Sequence, residues 1–233
     1  MNIQIWFTDC QKDFIDADGA LPITNAHRIL GNLARLRIAA TAFGVPAVYT
    51  QDLHAANDEE LSDTPDYSKT FPPHCVAGTP GAEFIPEVGC PEGVAIIEPQ
   101  CDLIDILQNN EDVDIFDGDV VLTKQIFSTF DGNQNAERFV EATAPDVVFI
   151  CGVAGDVCVK HVVNGFCKLN KTLRVLGDRQ IRVGIVNDAI KSLDEEFGGS
   201  LNLVWENDFG FEIVDTPFVE SFLALTGKTG DEV

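Results

Sequence analysis

Val147-Val148-Phe149-Ile150-Cys151-Gly152-Val153-Ala154-Gly155-Asp156-Val157-Cys158-Val159 is the stretch whose reading decides the fold. Its first five residues form an apolar run of the length and composition of a strand buried on both faces. Small residues follow, and a cysteine arrives about where a helix should begin. The open N–H groups and dipole of a helix start favour an anion, so a thiol there can have its pKa drawn below the free value of about 8.5. Cys158 is therefore the first candidate nucleophile. The competing reading is a small core residue, since free cysteine is among the most buried side chains.

Outward from that unit, strand-like runs alternate with longer helical patterns. Ile3 to Thr8 is a strand closing on Asp9, and Ile29, Leu33, Leu36, Ala40 and Phe43 recur as one helix face does. Val45 to Thr50, Val94 to Ile97 and Val120 to Thr123 are further strands. Asn133 to Ala144 and Asp156 to Leu169 are helices. Leu173 to Leu176 and Ile181 to Val186 have strand composition, the latter closing on Asn187-Asp188. A Ser192 to Trp205 helix, a Phe211 to Val214 strand and a short helix from Pro217 complete the pattern. The alternation predicts a three-layer α/β/α fold with a mainly parallel central sheet, in a single domain over 1–233. Residues 51–93 are polar and Pro-rich, a loop length that in compact domains usually serves function. The acidic stretch Glu111, Asp112, Asp114, Asp117 and Asp119 reads as a solvated connection.

Composition narrows the function classes. A length of 233 residues fits one good-sized domain, and a net charge of −23 argues against nucleic acid or an anionic membrane as partner. Met1 leads directly into the first strand, with no basic leader segment and no apolar run of about 18 residues, so a cytoplasmic protein is expected. Seven scattered cysteines with no C-x-x-C pair indicate reduced thiols rather than disulfides or a zinc knuckle.

In open α/β sheets the ligand sits beyond the carboxyl ends of the strands, and Asp9, Asp52, Lys124 and Cys158 all fall at or just after such ends. A cation near a thiol favours thiolate, and a carboxylate within reach can take its proton. Together Asp9, Lys124 and Cys158 read as a hydrolytic site, although each alone has a bland alternative as a turn residue, a surface lysine or a core thiol. Asp52 and His54 place an oxygen and a nitrogen donor on one side of an extended backbone. His74 follows, held by Pro72 and Pro73, with Glu60 between. Such donors suit Zn²⁺, Mn²⁺ or Fe²⁺, while Asp-x-His also occurs as an ordinary hydrogen-bonded pair. His27 and His161 have no comparable company and read as solvated or structural.

These residues match a known family. The chain resembles the isochorismatase-like cysteine hydrolases, and within them the nicotinamidase branch. The resemblance rests on Asp9-x-Gln11-x-Asp13-Phe14, Gln51-Asp52-Leu53-His54, Thr64-Pro65-Asp66-Tyr67, the Phe71-to-Phe84 segment with its Pro72-Pro73-His74-Cys75 core, Lys124, and Gly152-Val153-Ala154-x-Asp156-x-Cys158-Val159. It implies Cys158 as nucleophile, Asp9 as general base and Lys124 as electrostatic partner. It also implies a cis peptide at Val153-Ala154, presenting the N–H groups of Ala154 and Cys158 as an oxyanion hole. Asp52, His54, Glu60 and His74 would bind one divalent metal, most often Zn²⁺, and Phe14, Phe71 and Phe127 would line an aromatic pocket. The implied activity is deamidation of nicotinamide, a step of NAD salvage, by an enzyme whose partner is a small-molecule amide and which is compatible with a homo-oligomer. A related amidase for another small aromatic or heterocyclic amide, and a catalytically silent ligand-binding relative, stay open as alternatives. Three departures lie outside the motifs: Asn164-Gly165 replaces the usual Asp-Ala, Lys168 to Arg182 is long, and no glycine follows Lys124.

Overall fold

The computed structural model describes residues 1–104, 106, 115–194 and 211–226. Seven parallel strands form one sheet in the order β3-β4-β2-β1-β5-β6-β7. They are β1 (Ile3–Thr8), β2 (Ala47–Asp52), β3 (Ala95–Ile97), β4 (Val120–Lys124), β5 (Val147–Val153), β6 (Arg182–Lys191) and β7 (Phe211–Val214). The helices are α1 (Lys12–Ile15), α2 (Leu30–Ala42), α3 (Thr129–Gly132), α4 (Asn135–Thr143), α5 (Lys160–Leu176) and α6 (Thr216–Thr226).

Side-chain alternation along the central strand builds two cores. Ile3, Ile5 and Phe7 of β1 pack with Leu33, Leu36 and Ala40 of α2 and with Val219 and Leu223 of α6. Trp6 points the other way, into a cluster with Phe139 and Val140 of α4 and Val162, Val163 and Phe166 of α5. The period of two in the strand thus requires helices on both faces, which is the predicted three-layer arrangement.

The chain leaves β1 for β2 on one side and later returns to β5 on the other. The crevice at such a reversal is where open parallel sheets bind ligands, and Asp9 stands directly above it. Register places Thr8 opposite both Thr50 and Gly152, and Asp52 opposite Lys124, so these strand ends finish at a common edge.

Several expectations need correction. Leu173 to Leu176 is not a strand: α5 runs on to Leu176 and ends at Gly177, whose φ of 77° closes it in the left-handed conformation. Leu173 extends the apolar stripe of Val162, Phe166 and Leu169 into the same core, so helical periodicity outweighs local composition. The long 168–182 connection is therefore mostly helix. β6 does not close on Asn187-Asp188 but continues to Lys191 after a register irregularity opposite Ile150 to Gly152. Ser192 to Asp194 is not helical, and the remainder of the expected Ser192 to Trp205 helix lies outside the described residues. Glu111, Asp112 and Asp114 also lie outside them. Asp119 is not simply solvated, because it accepts from Ala47 N at 2.8 Å and pairs with Arg37 at 2.7 Å.

The Asn164-Gly165 departure has a packing cause. A Cβ at Gly165 would collide with the Phe130 ring. That ring cannot retreat easily, since it stacks on Trp6 at 5.9 Å and meets Phe166 edge-on at 5.3 Å. Gly165→Ala is expected to cost about 1–3 kcal/mol by overpacking, measured as a lowered denaturant midpoint at unchanged slope.

Candidate active site

Asp9 follows β1 with a φ of 45°, in the left-handed region. Its backbone N–H donates to Thr50 O at 3.2 Å and Thr50 Oγ1 at 3.1 Å, while Thr50 Oγ1 donates to Asp9 Oδ1 at 2.5 Å. The carboxylate is thereby locked over the sheet edge with its second oxygen 2.9 Å from Lys124 Nζ. Lys124 also lies 3.0 Å from Asp52 Oδ1 and 4.0 Å from Cys158 Sγ. Asp9 and Lys124 are both 0% exposed. Burial pulls the Lys124 ammonium down, but Asp52 and Asp9 outweigh it and hold its pKa well above the usual value. One buried cation thus serves two carboxylates and stands beside the thiol.

Cys158 occupies a single wide turn, Gly155–Val159, in which Val159 N donates five residues back to Ala154 O at 3.0 Å before α5 begins. Such π-type turns recur at functional sites. The expected acidification of this thiol by the helix start does not occur. Burial pushes the Cys158 pKa well up, and the hydrogen bond and charge of Asp9 add to that against the pull of Lys124. Two buried carboxylates and the loss of water outweigh one ammonium and a helix dipole. Asp9 is the carboxylate placed to accept the thiol's hydrogen bond. The Val153-Ala154 peptide is cis.

Asp52, His54, Glu60 and His74 each offer one donor atom, and the four atoms lie within 4.8 Å of one another. Local backbone pairing gathers them from a loop with little regular structure. His54 N donates to Cys75 O at 3.0 Å and Ala77 N to His54 O at 2.9 Å, which brings His74 beside His54. Phe71 N donates to Glu60 O at 2.8 Å, and Ser62 N to Phe71 O at 2.9 Å, which folds Glu60 inward. Asp13 Oδ2 accepts from Cys75 N at 2.7 Å and ties this loop to α1.

The four residues fit a divalent cation. His74 Nδ1 lies 2.7 Å from Pro72 O, so it carries the proton and leaves the Nε2 lone pair facing the cluster. His54 Nδ1 is 3.2 Å from Asp58 Oδ2, the same outer-partner arrangement. His54 Nε2 and Glu60 Oε1 are buried without a hydrogen-bond partner among the described residues, and the 3.5 Å from His54 Nε2 to Asp52 Oδ1 is too long to satisfy it. Burial, reinforced by Asp52, raises Glu60 to about 7. Burial also raises Asp52, but Lys124, His54 and His74 hold it well below the usual carboxylate range. Burial lowers His54, and Asp52 more than reverses it. Asp58→Asn is expected to weaken metal affinity by about 10–100-fold, measured by competition with a chromogenic chelator.

Both constellations open on one pocket. Cys158, Asp52, Glu60 and His74 line it together with Phe14, Phe71 and Phe127, and its space out to the mouth is about 370 Å³. Phe71 meets Phe127 edge-on at 5.4 Å, and Phe14 lies 5.3 Å from the His74 ring. Ala154 also lines the pocket, whereas Val153 is buried in the core. Asp52 links the halves, since it is both a candidate metal donor and the second partner of Lys124.

Sequence reading assigned no role to four supporting residues. Gln11 donates to Asp52 O at 2.7 Å and Ala82 O at 3.0 Å and accepts from Asp52 N at 2.8 Å, clamping the end of β2. Thr50 steers Asp9, Asp13 holds the loop after His74, and Asp58 steers His54. Gln11 and Asp13 left a signal in the motif that follows Asp9, and Asp58 one in its four-residue spacing from His54. His161 is not a ligand; its ring lies 6.3 Å from Phe127.

The isochorismatase domain family model matches residues 5–101. The chain is 27% identical over 198 residues to a nicotinamidase/pyrazinamidase of Mycobacterium tuberculosis, covering 84% of this chain and 95% of that one. Its fold is similar to the crystal structure of Pyrococcus horikoshii pyrazinamidase in complex with zinc, with a TM-score of 0.66, 23% identity and coverage of 92% and 99%. It is also similar to N-carbamoylsarcosine amidase from Thermoplasma acidophilum, with a TM-score of 0.62, 21% identity and coverage of 93% and 97%.

Proposed function

We propose that this chain is a nicotinamidase of the isochorismatase-like hydrolases, converting nicotinamide to nicotinate and ammonia. The observation that carries the reading is the single pocket lined by a buried thiol, three phenylalanine rings and three of the four metal donors. A flat heteroaromatic ring fits such walls, and its amide carbon needs the thiol. When bound at Asp52, His54, Glu60 and His74, a divalent ion such as Zn²⁺ supplies a Lewis acid that anchors and orients the ring nitrogen.

The chain's own residues carry the proton and bond changes. Asp9 takes the Cys158 proton as Sγ attacks the amide carbon, and the carbonyl electrons move to an oxyanion beside Ala154 and Cys158. Oxyanion donors of this kind contribute roughly 3 kcal/mol each to the transition state. Asp9 returns the proton to the amide nitrogen, ammonia leaves, and a thioester remains. Asp9 then deprotonates water for attack on the thioester carbon, and the C–S bond breaks as Cys158 regains its proton. Lys124 stays charged throughout and keeps Asp9 from carrying an uncompensated buried charge.

The test is ammonia release by purified, metal-analysed protein from nicotinamide, pyrazinamide and a short panel of other carboxamides and carbamoyl compounds. Turnover of nicotinamide above the panel supports the reading. Preference for another amide selects the related amidase, and calorimetric binding of nicotinamide without ammonia release selects the silent relative. In the nicotinamidase reading the protein acts in NAD salvage in the cytoplasm.

A further inference from the structure

We infer that Leu193 sets the size limit of the substrate at the pocket mouth and that Asp156 is the positioning residue that latches it there. The inference deepens the amidase reading and rests on that pocket being where substrate enters.

Leu193 is 40% exposed, more so than the other residues lining the pocket, so it forms the wall between the bound molecule and solvent. It comes from a different element than the catalytic groups, the segment just after β6, and nothing in its local sequence directs it there. Three features of β5 and the Gly155–Val159 turn hold that segment. Asp156 Oδ1 accepts from Leu193 N at 2.9 Å and Asp156 Oδ2 from Asp194 N at 2.9 Å, a fork on two successive amides. Gly155 lets the strand end approach, because a Cβ there would meet the Ser192 hydroxyl and Ile190 Cγ2. Ladder pairing of Gly152 with Ile190 and Val153 with Lys191 continues past the irregularity in β5 and β6 up to this point.

Asp156 precedes Cys158 by two residues. The turn that presents the nucleophile therefore also fixes the wall across from it, and the distance between thiol and wall is set within one rigid unit. A substrate with a single unsubstituted ring passes this wall, while a fused or bulky-substituted ring meets Leu193. Charge-assisted bonds to backbone amides are among the stronger ones a carboxylate makes, so loss of the fork should release the wall.

The experiment measures alkylation of Cys158 by small iodoacetamide and by bulky N-(1-pyrenyl)maleimide, read by peptide mass spectrometry at equal metal loading. The proteins are wild type, Leu193→Ala, Asp156→Ala and Asp156→Asn. Leu193→Ala should raise the bulky-to-small rate ratio by on the order of tenfold, the scale of one altered side chain in an apolar pocket. It should also raise kcat/KM for quinoline-3-carboxamide relative to nicotinamide by a similar factor. Asp156→Ala should raise the alkylation ratio too, with faster hydrogen exchange at the Leu193 and Asp194 amides; Asp156→Asn, which keeps one oxygen and folds more readily, should do so partially. An unchanged ratio in Leu193→Ala overturns the wall, and unchanged exchange and ratio in both Asp156 variants overturn the latch. Alkylation and exchange need no turnover, so a wild-type protein inert toward nicotinamide would refute the proposed function while these two measurements still judge the inference.

Discussion

Cys158→Ala is expected to abolish ammonia release from nicotinamide, by at least about 10⁴-fold, with circular dichroism and thermal melting unchanged from a folded protein. Cys158→Ser is expected to fall nearly as far, because a serine hydroxyl beside two carboxylates is a far weaker acid than a thiol. Asp9→Asn should match it, and the double variant should be no worse than either single one, since thiol and base act as a unit. The upward pull on the thiol's pKa makes a further distinction. In metal-depleted protein, iodoacetamide alkylation of Cys158 should climb with pH and show no thiolate plateau between about pH 6 and 8, the range in which an acidified cysteine would already be reactive. The sign follows from burial and Asp9 raising the thiol's pKa. A plateau there would mean that Lys124 prevails and that the thiolate is preformed, and substantial turnover by the alanine variant would remove Cys158 from the mechanism.

Lys124→Met carries the largest stability effect expected in this protein. The substitution keeps the length of the buried stem but leaves Asp9 and Asp52 facing each other without a cation. Removing one partner of a buried ion pair costs about 3–5 kcal/mol, because the other charge stays buried and uncompensated. For a chain of this size that lowers the melting temperature by about 10 °C. Two controls identify the cause. Adding Asp52→Asn should restore part of the loss, a coupling readable as a double-mutant cycle. Metal-loaded protein should be hurt less than metal-depleted protein, since a dication compensates Asp52 in place of the ammonium. A melting temperature within a degree of wild type would show that the two carboxylates share a proton instead.

The architecture was legible because period and length carry it. Alternation in Ile3 to Thr8 demanded two covered faces, and the spacing of Leu33, Leu36 and Ala40 marked one helix that covers the first. Boundaries failed where tertiary contact overrode local composition: Leu173 belongs to a helix because its neighbours three to seven residues earlier already face that core. The chemical residues were legible by type, since few apolar strands end in aspartate or lysine, or lead through small residues to a cysteine, without reason. Their protonation was not. The same Cys158 that a helix start should acidify is raised by burial and by Asp9, which lies about 150 positions earlier in the chain, and no local reading contains that neighbour.

By itself, then, the sequence determined the layers, the strand ends that meet at one edge, and the candidate groups for a nucleophile, a base and a cation site, because these depend on periodicity and residue type. Only the tertiary structure decided that Asp52 serves both Lys124 and the metal donors, that Gln11, Thr50, Asp13 and Asp58 hold the functional groups, and that Leu193 closes the mouth. Those are relations between segments far apart in the chain, set by strand order and register, and the field each side chain feels is the sum over neighbours that folding brings within a few ångströms.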